Sequence, residues 1–551
     1  MRQVIDRLRA LLSAHADGKV TTWLMRTAVC AGVLNVVVLL AQARDTVHQL
    51  DLDADYPMSF VLPALAGRAP AGSVITLGNH SYYEAWWFER ATFGLPGWRT
   101  IWEAAPFVVE GVGIALVAWC AWVVLGRLAA VLSAVALVSI TDGLRIILAM
   151  SSGRVGLTVH AGVFCAALLI VGGATRAPRL SRRALAAFTV FTVIFGAAAA
   201  TDQLIALTVV LPYMLAPCLW WWYDRTQRSR GVCLYALATG AASLVGALLL
   251  TSLMQSEHVV HSPYPVLFAT VTSLSSNVQN LIGSWAVLGD GSFFGLSASG
   301  EALVTSVVGI LCLLAFAAVL WAVSRRAYAL LADGRHERAV PAPRFLFVSF
   351  WALVIATDLV VYLGTQVSND VVSGSHYLLS AWVAVAALLG AFVRSMRLRV
   401  TLLLGVAVFG VLTFRAHVTN GVPPYGPGPD QATSGAIQRF TQAHGARIGY
   451  AEYLDAPSIT WDTALKTQVY PVGPCGFASG LCPFFISISS WYTPRPHVRS
   501  FLVTDSRPAV TGGSITAPPA AFGKPVASAA FGPFTVFVYG NDVAAYLGPP
   551  E

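Results

Sequence analysis

Three aspartates at alternate positions, Asp51, Asp53 and Asp55 in QLDLDADYP, form a tight carboxylate group just after the first long apolar stretch. In an extended segment all three side chains project from one face. Carboxylates so placed can bind a hard divalent cation, magnesium or manganese, chiefly through Asp53 and Asp55. They can equally hold one carboxylate as a general base. A solvated acidic loop has the same composition.

Other polar groups are scattered along the chain. QSEHVVHSPYP brings Glu257, His258 and His261 together, and on a helix His258 and His261 would share a face for metal or phosphate. A surface pair reads the same way. SNDVVSGSHYLL carries Asp370 and His376, and LGNHSYYEAWWFERATFGLPGWRTIWEAAP carries Arg90 and Arg99 among many aromatics. Arg145 and Arg154 add further cationic candidates. In SSWYTPRPHVRS, Trp491, Tyr492 and Arg495 suit stacking on a sugar as well as they suit an ordinary core. Neither a P-loop nor a Rossmann fingerprint occurs, so nothing points to a nucleotide pocket.

The elements that must position these residues lie in a membrane. Of the 551 residues 56% are hydrophobic and 11% charged, less than half the charge of a soluble protein, which carries about 25%. Apolar runs near 22–43, 105–126, 128–150, 157–174, 184–200, 203–223, 231–254, 301–323, 345–363, 377–394 and 400–414 give about eleven spans. The net charge of +8 is no nucleic-acid signal once the charges are placed. Arg2, Arg7, Arg9 and Lys19 precede the first span, and Arg127, Arg176–Arg183, Arg225–Arg230, Arg325–Arg344 and Arg394–Arg399 fall in alternate loops. All lie on one side if the N-terminus is cytoplasmic, which puts the C-terminus outside.

The expected architecture is therefore a mainly α, polytopic helical protein of the plasma (inner) membrane. Its transmembrane domain covers 1–414, with external loops at 44–104 and 255–300, and an extracytoplasmic α+β domain covers 415–551. The aromatic stretch at 79–106 reads as interfacial helices broken at Leu95-Pro96. ARIGYAEY, SFLVTD and FTVFVYG read as strands, with a polar helix near 432–444. Six cysteines sit in apolar segments, whereas Cys475 and Cys482 stand in CGFASGLC, where an external disulfide would add about 2–3 kcal/mol. Ionisable residues inside spans usually mark function or a buried pair. Glu110, Asp142, Arg145, Asp202 and Asp358 all fall toward the external end of their spans.

This layout resembles the GT-C superfamily of integral-membrane glycosyltransferases: a cytoplasmic N-terminus, a first span, an acidic external loop with interfacial helices, many further spans and an external C-terminal domain. GYAEYLDAPSITW and the CGFASGLC pair look like the external domains of actinobacterial members. In that family an aspartate early in the first external loop is the usual catalytic carboxylate, and DADYP holds the matching place. The resemblance implies Asp55 or Asp53 as the base, with Asp51, Tyr56, Arg90, Glu257, His258, His261 and His376 near the substrate. It also implies a polyprenyl-phosphate-linked sugar as donor, an envelope glycan, lipid or protein as acceptor, membrane lipids as surroundings, and no organic cofactor. Two other classes fit the same chain: a lipid or solute transporter or flippase, and a non-enzymatic envelope assembly protein.

Overall fold

The computed structural model describes residues 18–46, 56–77, 83–139, 157–261, 267–288, 300–332, 341–366, 374–391, 396–420, 428–453, 455–477, 480–507 and 515–549. Asp51, Asp53, Asp55, Asp142, Arg145, Arg154 and Asp370 lie outside them. In chain order the N-terminal part runs α1 (Gly18–Thr46), α2 (Tyr56–Ala66), β1 (Ile75–Leu77), α3 (Tyr83–Thr92), α4 (Trp98–Leu125), α5 (Arg127–Val138), α6 (Leu157–Val171) and α7 (Arg182–Ala199). Next come α8 (Gln203–Asp224) and α9 (Gln227–Ser256). β2 (Val259–His261), α10 (Val271–Leu288), α11 (Gly300–Ala332), α12 (Ala342–Gly364), α13 (Leu379–Leu388) and α14 (Met396–Asn420) complete the helical part.

Among the described residues seven helices are long and apolar enough to cross a membrane, and four shorter apolar helices accompany them. Together they fall on the eleven stretches read from hydropathy. Their shared core is built from residues such as Phe164, Tyr213, Phe347, Trp351, Leu379 and Leu403.

Beyond α14 lie α15 (Gln431–Ala443), β3 (Ile448–Glu452), α16 (Asp455–Asp462), β4 (Gln468–Pro474), β5 (Leu481–Pro483), β6 (Ser487–Ile488), β7 (Ser500–Asp505), β8 (Ala527–Phe531) and β9 (Phe534–Tyr539). Six strands make a mixed sheet of order β5-β4-β3-β7-β9-β8. β3 is parallel to β4 on one side and to β7 on the other, and the remaining pairs are antiparallel. The Cys475–Cys482 disulfide closes the β4–β5 turn, with 5.8 Å between the two Cα atoms.

A second sheet ties distant parts of the chain together. β1 pairs with β2 in parallel, Ile75 opposite Val259, and with β6 in antiparallel, Ile75 opposite Ile488. Further bonds extend the junction: Ile75 N–H to the His258 carbonyl at 2.8 Å, and Ser489 N–H to the Val74 carbonyl at 2.8 Å. The two loops and the C-terminal part assigned to one side by charge are thus hydrogen-bonded to each other.

The arginine-bearing turns lie at the opposite ends of the helices. There Arg176 donates to the Trp122 carbonyl in the last turn of α4 (3.0 Å), Arg228 to the Gly172 carbonyl after α6 (2.5 Å), and Arg344 to the Ala391 carbonyl after α13 (2.6 Å). A cation at a helix C-terminus satisfies orphan carbonyls and opposes the negative end of the dipole. These arginines therefore close helix ends.

Two segments depart from the sequence expectation. The stretch after Tyr56 forms α2, despite Pro63 inside it, because Met58, Val61, Leu62, Ala64 and Leu65 are all buried. The 255–300 loop contains α10. Asn277 Nδ2 on α10 donates to the carbonyls of Leu363 (3.0 Å) and Thr365 (2.7 Å), and the Ser284 hydroxyl meets the Tyr362 hydroxyl at 2.8 Å. Seven residues of helix cover about 10 Å, yet all these partners sit at the very end of α12. α10 therefore crosses the end of α12 instead of running alongside it.

Orientation is testable with cysteines in place of Lys524 on the sheet-bearing side and Ser181 on the arginine-bearing side. A membrane-impermeant maleimide applied to intact cells should label Lys524→Cys and leave Ser181→Cys untouched until lysis. The reverse pattern would invert the molecule in the membrane.

Candidate functional site

The sheet places the sequence candidates unevenly. Tyr56 opens α2, directly after the aspartate segment. Arg90 ends α3, and its guanidinium donates to the Pro63 carbonyl of α2 at 3.3 Å, while the side chain stays exposed. Glu257 and His258 are exposed in the turn between α9 and β2. His258 has φ 62°, and His261 lies in β2 opposite Leu77. The expected helical His258–His261 pair is therefore corrected. Val259 is a buried strand residue bonded to β1, and the chain turns too sharply at His258 for a helix. His376 sits in a 3-10 turn that opens α13, beyond the end of α12. The first two loops are thus brought together, with Arg90 and the 257–261 turn on one side of the molecule.

The C-terminal domain packs on this region through a shared core with Trp461 at its centre. Trp461, fully buried on α16, stacks parallel to Trp102 (centroids 6.1 Å apart) and edge-on to Trp98 (5.5 Å). Its indole N–H donates to Glu103 Oε1 at 2.9 Å, and its carbonyl accepts from Arg99 Nη2 at 2.6 Å. The Arg99 guanidinium also lies 4.5 Å over the indole ring. Arg99, a candidate cation for substrate, is thereby committed to holding α16 on the start of α4. Of the first-loop aromatics, read as interfacial, Trp86 and Trp102, with Phe93 and Trp98 packed on them, join Met58, Val61 and Leu62 of α2 and Tyr450, Tyr453 and Tyr470 of the domain in one core, while Trp87 and Phe88 stay exposed. The Leu95-Pro96 break is real, but the helix beyond it is the first turn of the span α4 itself. Trp491 stacks on Tyr470 at 4.8 Å, and Arg495 pairs with Asp542 at 3.5 Å, so both side chains are engaged within the domain, while Thr493, Pro494 and Pro496 of the same segment are exposed.

The carboxylates within spans separate into two kinds. Asp202 Oδ1 accepts from the Leu204 N–H at 2.7 Å as the cap of its own helix. Asp358 Oδ2 accepts from the Ala381 N–H at 2.9 Å, capping α13 from a neighbouring helix. Both satisfy orphan donors at a helix N-terminus and favour its positive end. Glu110 does neither. It is buried on α4, about 18 Å along the helix from Trp98, where its carboxylate faces the Thr158 hydroxyl of α6 and neither oxygen makes a hydrogen bond of full geometry. It faces α6 near the point of closest approach, where a Cβ on Gly113 would come 2.7 Å from the Val159 nitrogen. An unsatisfied acid in the bundle is expensive, so the fold alone does not explain Glu110.

On the domain, burial is the main cause lifting Glu452 from 4.5 to about 7, with Asp505 adding repulsion and Arg507 opposing both. Burial likewise raises Asp462 from 3.8 to about 7, against the Ser434 hydrogen bond and the Arg99 charge. Among the described residues no group of three or more His, Cys, Asp or Glu could hold a metal ion.

Removing Trp461 should unclamp the domain. Trp461→Ala is expected to cost about 3–5 kcal/mol, read as a lower thermal midpoint and new protease cleavage after α14. Trp461→Phe, which keeps the ring but leaves Glu103 unpaired, should cost about 1–3 kcal/mol. Unchanged cleavage in Trp461→Ala would remove its clamping role.

The raised carboxyls set a pH dependence. A carboxyl whose folded pKa exceeds its unfolded one holds its proton more tightly in the native state. The stabilisation from Glu452 and Asp462 is then complete below about pH 4 and lost as pH rises through about 7. Thermal melts across that range should show the midpoint falling with pH, with a shallower slope in Asp462→Asn; an equal slope would count against the assignment.

No protein-family model matches the chain, and no curated protein matches it. Among solved structures, ArnT from Cupriavidus metallidurans bound to undecaprenyl phosphate is similar at 15% identity, covering 94% of this chain and 99% of that one, with TM-score 0.37. The same protein in the apo state gives 14% identity, 94% and 98% coverage and TM-score 0.34. Scores this low do not establish a shared fold.

Proposed function

We propose that this multi-pass membrane protein is an inverting glycosyltransferase. It moves a sugar from a polyprenyl-phosphate donor to a cell-envelope acceptor on the external face of the plasma membrane. The observation that supports it most is the bracketing of the aspartate segment. Helix α1, which carries the first apolar stretch, ends at Thr46, and α2, which packs against α16 of the domain, opens at Tyr56; Asp51, Asp53 and Asp55 fall between them in sequence. A lipid-anchored phosphate and a polymeric acceptor would meet at that level.

In this reading Asp55, or Asp53 beside it, takes the proton of an acceptor hydroxyl. The oxygen attacks the anomeric carbon from the side opposite the phosphate. The carbon–oxygen bond to phosphate breaks, the phosphate keeps the electron pair, and one displacement inverts the centre. The departing phosphate gathers negative charge that positioned donors must meet. Arg90 is exposed and spends one donor on Pro63, and His258, His261 and His376 border the same side. A magnesium or manganese ion would supply the same charge, and Asp53 and Asp55 are the residues that would hold it.

The test is transfer from radiolabelled polyprenyl-phosphate sugars to envelope extracts by wild type, Asp55→Asn and Asp53→Asn. Asparagine keeps size but cannot act as base. A loss of about 100-fold or more in one of them, with normal membrane insertion, is expected. Undiminished transfer in both would remove these aspartates from the chemistry. Solute movement without covalent transfer would favour a transporter.

A further inference from the structure

Helix α10 crosses the end of α12, yet it leaves a row of large apolar side chains uncovered. Its level is set by α12. The 23 residues of Ala342–Gly364 cover about 34 Å, close to the roughly 30 Å of a hydrocarbon core. Arg344 marks the arginine-bearing end, so Gly364 stands at the opposite surface. The entry to α10 is fastened there. Ala269 N–H donates to the Gly364 carbonyl at 2.8 Å, Gln366 N–H donates to the Leu267 carbonyl at 3.0 Å, and Phe268 bridges to Thr365. The other end of α10 dips into the bundle, where Trp285 stacks on Phe316 of α11 at 4.0 Å and lies 5.6 Å from Trp382 of α13.

At about 100° per residue, α10 divides into three sides. Asn277, Leu281 and Ser284 lie within about 60° of arc. They form the protein side, with Asn277 and Ser284 bonded to the end of α12 and Leu281 packed on the bundle core. Thr272, Ser275, Ser276 and Gln279 share an exposed polar arc of about 100°. Between those two sides run Val271, Leu274, Val278 and Ile282, within about 80°. All four are exposed, Val271 by 87%, and exposed Leu267 and Phe268 precede them. No residue from Leu267 to Leu288 is charged. A helix with one protein side, one apolar side and one hydroxyl-bearing side suits the boundary between acyl chains and water.

We propose that the row Val271, Leu274, Val278 and Ile282 is seated in the acyl chains of the leaflet on the sheet-bearing side, with the polar arc at the headgroups. Lipid covers the row because the row continues a lipid-facing surface: Val360, one turn inside the same end of α12, is 70% exposed. With no charge on the helix, apolar area alone drives the contact, and anionic headgroups do not hold it. α10 also packs against the turn His376–Leu378, so the contact brings the leaflet up to His376. It holds whether or not the chain transfers sugar.

The experiment is nitroxide scanning of the full chain in nanodiscs, with Cys30, Cys120, Cys165, Cys218, Cys233 and Cys312 changed to alanine. Labels go on Val278→Cys, Ile282→Cys, Ser276→Cys and Gln279→Cys, all at exposed positions, so none displaces packed atoms. Collisions with oxygen and with a water-soluble nickel chelate report depth. Labels at 278 and 282 should lie about 5–10 Å into the headgroup–acyl boundary, and those at 276 and 279 should meet the nickel chelate. Depth should be equal in phosphatidylcholine and phosphatidylglycerol nanodiscs. A benzophenone amino acid at position 282 of the otherwise native chain should cross-link to lipid, which checks the result without the alanine background. Nickel access at 278 and 282, or immersion of all four labels, would overturn the proposal. Immersion in phosphatidylglycerol alone would mean a charge-driven contact and overturn it too. Cross-links between two copies instead of to lipid would place a second chain on the row.

Discussion

A strand edge cannot lie in hydrocarbon. Every unpaired N–H and C=O there costs several kcal/mol, so the short sheet of β2, β1 and β6 must stand outside the bilayer. The rest of the architecture obeys that restriction by parity. β1 and β2 share one side, so the spans between them must be even in number; among the described residues α4 to α9 are six apolar helices, of which α5 and α6 are the shorter ones. β2 and β6 share that side too, and α11 to α14 supply four. If α10 also crossed, the count would be odd and Ile488 could not pair with Ile75. Its course across the end of α12 is what the parity requires.

The same sheet makes the C-terminal domain something other than an appendage. A two-residue strand contributes little by itself. The junction is fixed by the core around it, where α2, the start of α4 and α16 bury their apolar faces together. Trp461 sits at that meeting with its N–H and carbonyl both occupied by α4. Polar bonds inside an apolar junction give it register as well as energy.

Much of this is legible in the sequence, for a clear physical reason. Hydropathy marks the apolar helices because lipid demands about 20 apolar residues for a full crossing, and arginine placement gives the common side of three distant segments. The strands around Tyr450, Leu502 and Val536 and the helix from Gln431 show by alternation and by polar periodicity. The pairing of Cys475 with Cys482 is legible from their isolation in a polar region. Local pattern fails where tertiary contact overrides it. α2 contains a proline and reads as loop, but burial against α16 makes it helical. α10 is too polar for a span and reads as loop too. No sequence rule says that Trp461 meets Trp102 across more than 300 residues, or that Glu452, Asp455 and Asp505 converge; both depend on which strands become neighbours.

The acids show how structure sorts what composition lumps together. By sequence Glu110, Asp202 and Asp358 share one property, a place near one end of a span. By structure Asp202 and Asp358 hold the N-termini of helices, a role that explains their charge and their depth. Glu110 and Asp455 have no such account, since each is buried with both oxygens unsatisfied. A protein does not keep an unsatisfied buried acid for stability, because an apolar side chain of similar volume would pack there at lower cost.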